Sequence, residues 1–236
     1  MPSIISAAPH PPRSAWWPAG EIAWIEDRAQ AFDPGIDPWG RWVIYSPRKI
    51  LGTPDGGLVY RVDGAPTPEP AYKDDGDRSF LLPLMRLDDG VPRNDTYLAY
   101  RDSEKRMSSG HAPISRTACR ALAGSAASRI TAIRRQNFRI LAREFADIGL
   151  IAIHDPDFTP LGFPVLVPDA AAFTASLARD GLFVPRHWPR LSVDNPQFSF
   201  EARLARQEAT LPCDQRYSED DMRRLARTVR AALIEA

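Results

Sequence analysis

The sequence predicts an α/β sheet followed by a compact α+β unit, and three observations carry that prediction. Residues 22–25, 42–45 and 58–60 are short apolar runs bounded by polar or glycine-rich turns, the pattern of strands. The first run ends in Glu26 and Asp27, and in an open α/β sheet the C-terminal ends of strands are where ligands sit. Residues 114–146 are helical in composition, and the chain beyond them alternates short strands with helices.

Each element follows in order. Residues 1–20 hold five prolines in their first 18 positions, which excludes a helix, and they lack the basic start and long apolar centre of a secretory signal. A disordered leader is expected there, with Trp16 and Trp17 available to cover apolar surface. The ordered pattern begins at Glu21. The strand at 22–25 carries its two carboxylates at its end, and the strand at 42–45 runs into Ser46, Pro47, Arg48 and Lys49. Pro54, Asp55, Gly56 and Gly57 then form a turn before the strand at 58–60. From 65 to 113 the chain is loop-rich, and 80–87 is assigned to neither helix nor strand.

In the second half, Ile130, Ile133, Phe138, Leu141 and Phe145 recur near helical spacing, with Gly124 dividing the helical stretch. Strands are expected at 150–153, 163–167 and 182–184. Asp169 caps a helix that buries Phe173 and Leu177 and stops at Gly181. The last helix opens at Ser218 with Asp221 three residues on, a variant of the capping box, and buries Met222, Leu225, Val229 and Leu233.

Composition narrows the function classes. At 236 residues the chain has room for one or two domains, and 44% hydrophobic content suffices for a core. Thirty basic residues balance thirty acidic ones, against the surplus of Lys and Arg that a nucleic-acid binder needs. No apolar run reaches the roughly 20 residues of a membrane helix. Two cysteines, Cys119 and Cys213, offer no disulfide or metal framework and fit a reducing compartment, so the cytoplasm is the expected location. Only Lys49, Lys73 and Lys105 are lysines, so chemistry that needs a primary amine has three candidates.

Lys49 is the one set among apolar and glycine-rich elements. A lysine amine is protonated near neutrality, and partial burial with Arg48 beside it would lower its pKa and favour imine formation with an aldehyde. Asp27 supplies a carboxylate of the kind that keeps the ring nitrogen of pyridoxal phosphate (PLP) protonated. Gln30 can reach the ring or its phenolic oxygen, and Ser46 offers a hydroxyl to a phosphate. By spacing alone, an exposed lysine, a turn aspartate and a surface serine fit equally well.

The wording of the segments adds to this. IEDRAQAF (25–32) resembles the IEDCAQAF segment of the DegT/DnrJ/StrS family of PLP-dependent sugar aminotransferases, and YSPRKILGTPDGG (45–57) resembles the branch in which Ser-x-Arg-Lys precedes a Pro-Asp-Gly-Gly turn. LGFPVLV (161–167), VPRHWP (184–189) and LPCDQRY (211–217) look like the same family's small domain. The resemblance runs from about residue 20 to the end. It implies part of a fold-type-I PLP-transferase large domain at 21–115, followed by an α+β small domain at 116–236. It further implies Lys49 as the Schiff-base (aldimine) lysine and proton shuttle, Asp27 on the pyridine nitrogen, Gln30 on the ring's oxygen side and Ser46 on the phosphate. Glutamate would be the amino donor and a keto sugar attached to a nucleotide the acceptor. His187 and Trp188 would pack near the site or touch substrate.

The chain departs from the family in four places. Ser46 precedes Lys49 by three residues, where many members place the serine five before; Arg28 stands where a small residue or cysteine is usual; and MSSGHAPISR (107–116) stands in place of the GYNYRM segment. Only about 20 residues precede Glu21, where a complete member carries the first strands and the phosphate-holding helix. The expected partners are a second copy, as in the family's homodimers, or a missing N-terminal half. The rival expectation is a truncated, non-catalytic homologue that binds a partner or is an inactive remnant.

Overall fold

The computed structural model describes residues 24–32, 38, 40–62, 72–73, 98–99, 102, 113–149, 155–187, 189 and 196–235. The leader at 1–20, the segment 80–87, the strand expected at 150–153, Lys105 and Trp188 lie outside them. The chain forms two compact units, one from within residues 10–30 and 37–126, the other from within 31–36 and 127–236.

The first unit is built on a three-stranded sheet in the order β1-β2-β3, from β1 (Ile25–Asp27), β2 (Trp42–Tyr45) and β3 (Leu58–Arg61). β1 and β2 are parallel, with Asp27 opposite Ile44, and β2 and β3 are antiparallel, with Tyr45 opposite Leu58. Parallel pairing puts the C-terminal ends of β1 and β2 on one edge, so Asp27 and the residues after Tyr45 emerge together. Val43 is fully buried, whereas Ile25 is 59% and Val59 62% exposed. Ile22 and Ala23 of the run at 22–25 lie outside the described residues; the described strand begins at Ile25, and the side chain it buries is the charged Glu26.

A one-turn helix, α1 (Pro47–Ile50), follows β2 with proline at its first turn, where no amide hydrogen is needed. The chain then turns through Gly52 and Gly56, both with positive φ, into β3. A short parallel pair, β4 (Tyr72–Lys73) with β5 (Ile114–Ser115), leads to α2 (Arg116–Ala123). Ser115 caps α2 by accepting the Ala118 amide at 3.0 Å.

In the second unit, α3 (Ala127–Glu144), α4 (Ala170–Arg179), α5 (Ser199–Gln207) and α6 (Glu219–Glu235) belong with an antiparallel pair, β6 (Gly162–Leu166) and β7 (Glu208–Pro212). Phe163 is its aromatic centre, with ring centroids 5.0 Å from Phe138 and 6.3 Å from Phe145. Phe173, Leu177, Leu211, Met222 and Val229 complete this core. The expected caps are present: Asp169 accepts the amides of Ala171 and Ala172, and Ser218 and Asp221 exchange hydrogen bonds. On α3 the inner face takes Arg134 and Asn137 with Phe138 and Leu141, while Ile130 and Ile133 are only half-buried. Arg134 is satisfied by the carbonyls of Pro160 and Leu161 and by Gln215, and Asn137 by those of Asp214 and Tyr217.

The strand expected at 182–184 is not formed. Gly181 N–H donates to the Ala178 carbonyl and Leu182 N–H to that of Leu177, the paired closure of a Schellman motif. Leu182 has thus given its amide to the helix end and cannot enter a ladder. Cys213 is fully buried; burial pushes its thiol pKa up to about 12. Among the described residues no helix is long and apolar enough to cross a membrane, and no group of His, Cys, Asp and Glu could hold a metal ion.

Candidate active site

The first unit brings Asp27, Ser46 and Lys49 to one end of its parallel strand pair. Asp27 closes β1 with its side chain exposed, its Oδ1 accepting the Ala29 amide at 2.8 Å. Its Oδ2 takes no hydrogen bond among the described residues, so half of the carboxylate is available to a ligand. Ser46 links β2 to α1 without capping that helix, and its hydroxyl likewise has no partner among the described residues. The Ser46 carbonyl accepts the Lys49 amide at 3.0 Å, which fixes the step from one to the other.

The Lys49 side chain is exposed taken as a whole, yet protein packed about its ammonium lowers its pKa from the ordinary lysine value; the Asp27 carboxylate opposes that shift and Arg48 adds to it. The amine is thereby easier to deprotonate, as a nucleophile requires, while a carboxylate lies within electrostatic reach. Lys73 lies in β4, away from this strand end in sequence. Gln30 sits half-buried in the turn after β1. His187 belongs to the second unit, where its backbone amide donates to Glu208 Oε2 at 3.0 Å.

Beneath Asp27 lies a charged cluster whose partners spacing had not joined. Glu26 and Arg28, 4% and 6% exposed, flank Asp27 on the opposite face of the strand and meet each other, Arg28 Nε donating to Glu26 Oε1 at 2.6 Å. The i, i+2 spacing on a strand was the signal that could have paired them. Thr53 Oγ1 is a further polar atom that sequence reading did not single out, buried and without a hydrogen-bond partner among the described residues.

These residues fit PLP at its ring end: an amine with a lowered pKa for the aldehyde and a half-available carboxylate for the pyridine nitrogen. For a phosphate the described residues of this strand end could offer the Ser46 hydroxyl, and α1, at four residues, is too short to act as an anion site.

Comparison with known proteins places the fold. No family model matches the chain, and no curated protein matches it in sequence. Solved structures do. A DegT DnrJ EryC1 StrS aminotransferase from Brucella abortus aligns at 13% identity and a TM-score of 0.55, covering 89% of this chain and 57% of its own. The sugar aminotransferase CalS13 from Micromonospora echinospora aligns at 20% identity and a TM-score of 0.51, covering 88% and 57%. PseC from Helicobacter pylori, an aminotransferase involved in the biosynthesis of pseudoaminic acid, aligns at 13% identity and a TM-score of 0.53, covering 91% and 60%. The chain thus has the α/β fold of these fold-type-I transferases over most of its length, and it spans less than two thirds of theirs.

Proposed function

We propose that the chain belongs to the DegT/DnrJ/StrS family and carries the lysine side of a PLP-dependent sugar aminotransferase site. The observation that carries this reading is that Lys49, its pKa lowered, lies within electrostatic reach of Asp27 at the shared end of two parallel strands. When bound, PLP supplies the electron sink for breaking a bond at the amino-bearing carbon. Lys49 Nζ would hold the cofactor's aldehyde end and would serve as the group that takes up and returns the substrate's proton. The Asp27 carboxylate keeps the ring nitrogen protonated. Ser46 donates to the phosphate, and Gln30 lies towards the ring's oxygen side. Glutamate gives up its amino group and leaves as the keto acid; a keto sugar takes the group at its carbonyl carbon. His187 and Trp188 contribute packing or substrate contact. The partner is a second copy, as in the family's homodimers, or an N-terminal half that carries the phosphate-binding helix.

Among the described residues Ser46 alone is offered to a phosphate, and Ile25 and Val59 are exposed on the sheet; this favours a second reading, a non-catalytic homologue that binds a partner or an inactive remnant. One experiment separates the two. The chain is incubated with PLP, reduced with borohydride and mapped by peptide mass spectrometry. A stoichiometric adduct on Lys49, lost in Lys49→Ala and kept in Lys73→Ala, is the expected result. No adduct, or labelling scattered over Lys49, Lys73 and Lys105, would falsify the aminotransferase reading for this chain.

A further inference from the structure

Arg28 is an expensive side chain to place where it is. A buried guanidinium loses hydration that is recovered only through good partners, and an apolar residue of similar size fills such a space at less cost. Its partners are specific. Besides the bond to Glu26, Arg28 Nη1 donates to the Tyr45 hydroxyl at 3.1 Å, and the guanidinium stands 5.9 Å from the Tyr45 ring centroid. The Arg28 amide donates to the Ile44 carbonyl at 2.8 Å. Glu26 Oε2 in turn accepts the amide of Gly40, a glycine so close that a Cβ there would lie 2.8 Å from the Glu26 nitrogen.

The cluster therefore spans from the turn entering β2 to that strand's last residue, all from one face of β1. Asp27 lies between its two charged members and faces the other way. Tyr45 is followed directly by Ser46, whose carbonyl anchors the Lys49 amide.

We infer that Arg28 is a positioning residue: by tying Glu26 on β1 to Tyr45 on β2, it sets the separation between the Asp27 carboxylate and the Lys49 amine. The inference deepens the cofactor reading above and takes its functional meaning from it, but its geometry can be tested without cofactor.

The test uses the full chain and a double-mutant cycle. The pH dependence of Lys49 acetylation is followed by peptide mass spectrometry, with Lys73 and Lys105 as internal references, in the native chain, in Asp27→Asn, in the paired variant Glu26→Gln/Arg28→Met, and in the triple variant. The paired variant removes both charges of the Glu26–Arg28 bond together, which is gentler on folding than removing either one alone. Asp27→Asn is expected to lower the Lys49 pKa in the native background, and that shift is expected to fall to about half or less in the paired background. An equal shift in both backgrounds, or none in the native one, overturns the inference. Should the paired variant lose its circular dichroism, Tyr45→Phe carries the same comparison, because it removes the tie and no charge.

Borohydride trapping with PLP then separates the two readings. Selective trapping on Lys49 with a coupling indifferent to Arg28 sinks the positioning role and leaves the cofactor site. A coupling that depends on Arg28, with no trapping in the native chain, sinks the cofactor site and leaves the positioning role.

Discussion

Asp55 and Ser115 meet across 60 positions of chain, Asp55 Oδ1 accepting the Ser115 backbone amide at 3.1 Å. Ser115 is also the cap of α2, so this carboxylate ties the turn that follows Lys49 to the start of the helix. Asp55→Ala is expected to cost about 1–2 kcal/mol, the price of a partly buried amide left without its acceptor. Asp55→Asn keeps an acceptor oxygen and should cost less. Urea unfolding followed through the first unit decides it; equal stability of all three chains would mean that the turn is held by other contacts.

The same turn rests on a close approach. Gly56 has φ +91° and a Cβ placed there would lie 2.4 Å from Ile114 Cδ1, whereas Gly52, at φ +71°, has nothing within 4 Å. Both alanine variants carry the left-handed strain of about 1–2 kcal/mol. Gly56→Ala is expected to cost a further 1–3 kcal/mol or about that for displacing Ile114. Ile114→Ala should recover part of this second component in the double variant and do nothing for Gly52→Ala. Additive effects at Gly56 and Ile114 would contradict the packing account.

Glu208 gives the second unit a pH dependence of unusual sign. Burial raises its pKa above the ordinary glutamate value, against hydrogen bonds from Thr210 and the His187 amide and the charge of Arg186. An acid raised in this way binds its proton more tightly folded than unfolded. Stability therefore falls as pH rises from the ordinary value through the raised one, and the deficit is complete above it. Glu208→Gln retains an acceptor for His187 and should raise the Tm by about 2–4 °C near neutrality, roughly 1 kcal/mol for a chain of this size, with little effect near pH 4 or about that. Calorimetry at the two pH values reads it, and a Tm lowered near neutrality but not near pH 4 would show that the ionised form is the stabilising one.

How much of this was legible in the residues follows from the range of the interactions. β2 was bounded correctly because its apolar run is flanked by turn formers, and the caps at Asp169 and Ser218 were found because capping is settled within four residues. The strand expected at 182–184 failed on a local competitor, the helix end that claims the Leu182 amide. β7 was not anticipated: it opens with the charged Glu208 and ends at Pro212, and what makes it a strand is its pairing with β6 far back in the chain. At the site, Asp27, Ser46 and Lys49 were named from chemistry and motif wording. The Glu26–Arg28–Tyr45 cluster was not, because burial of two charges becomes visible only once β1 and β2 are paired.

The two cysteines differ in a way that serves experiment. Cys213 is sealed in the core of the second unit with a thiol near pKa 12, so at mildly alkaline pH it is almost wholly protonated and out of reach of solvent. Cys119 is half-buried on α2, in the first unit. The native chain thus carries its own single attachment point: a fluorophore coupled through sulfur reports from α2, on the unit that holds Lys49, with no cysteine to add or remove.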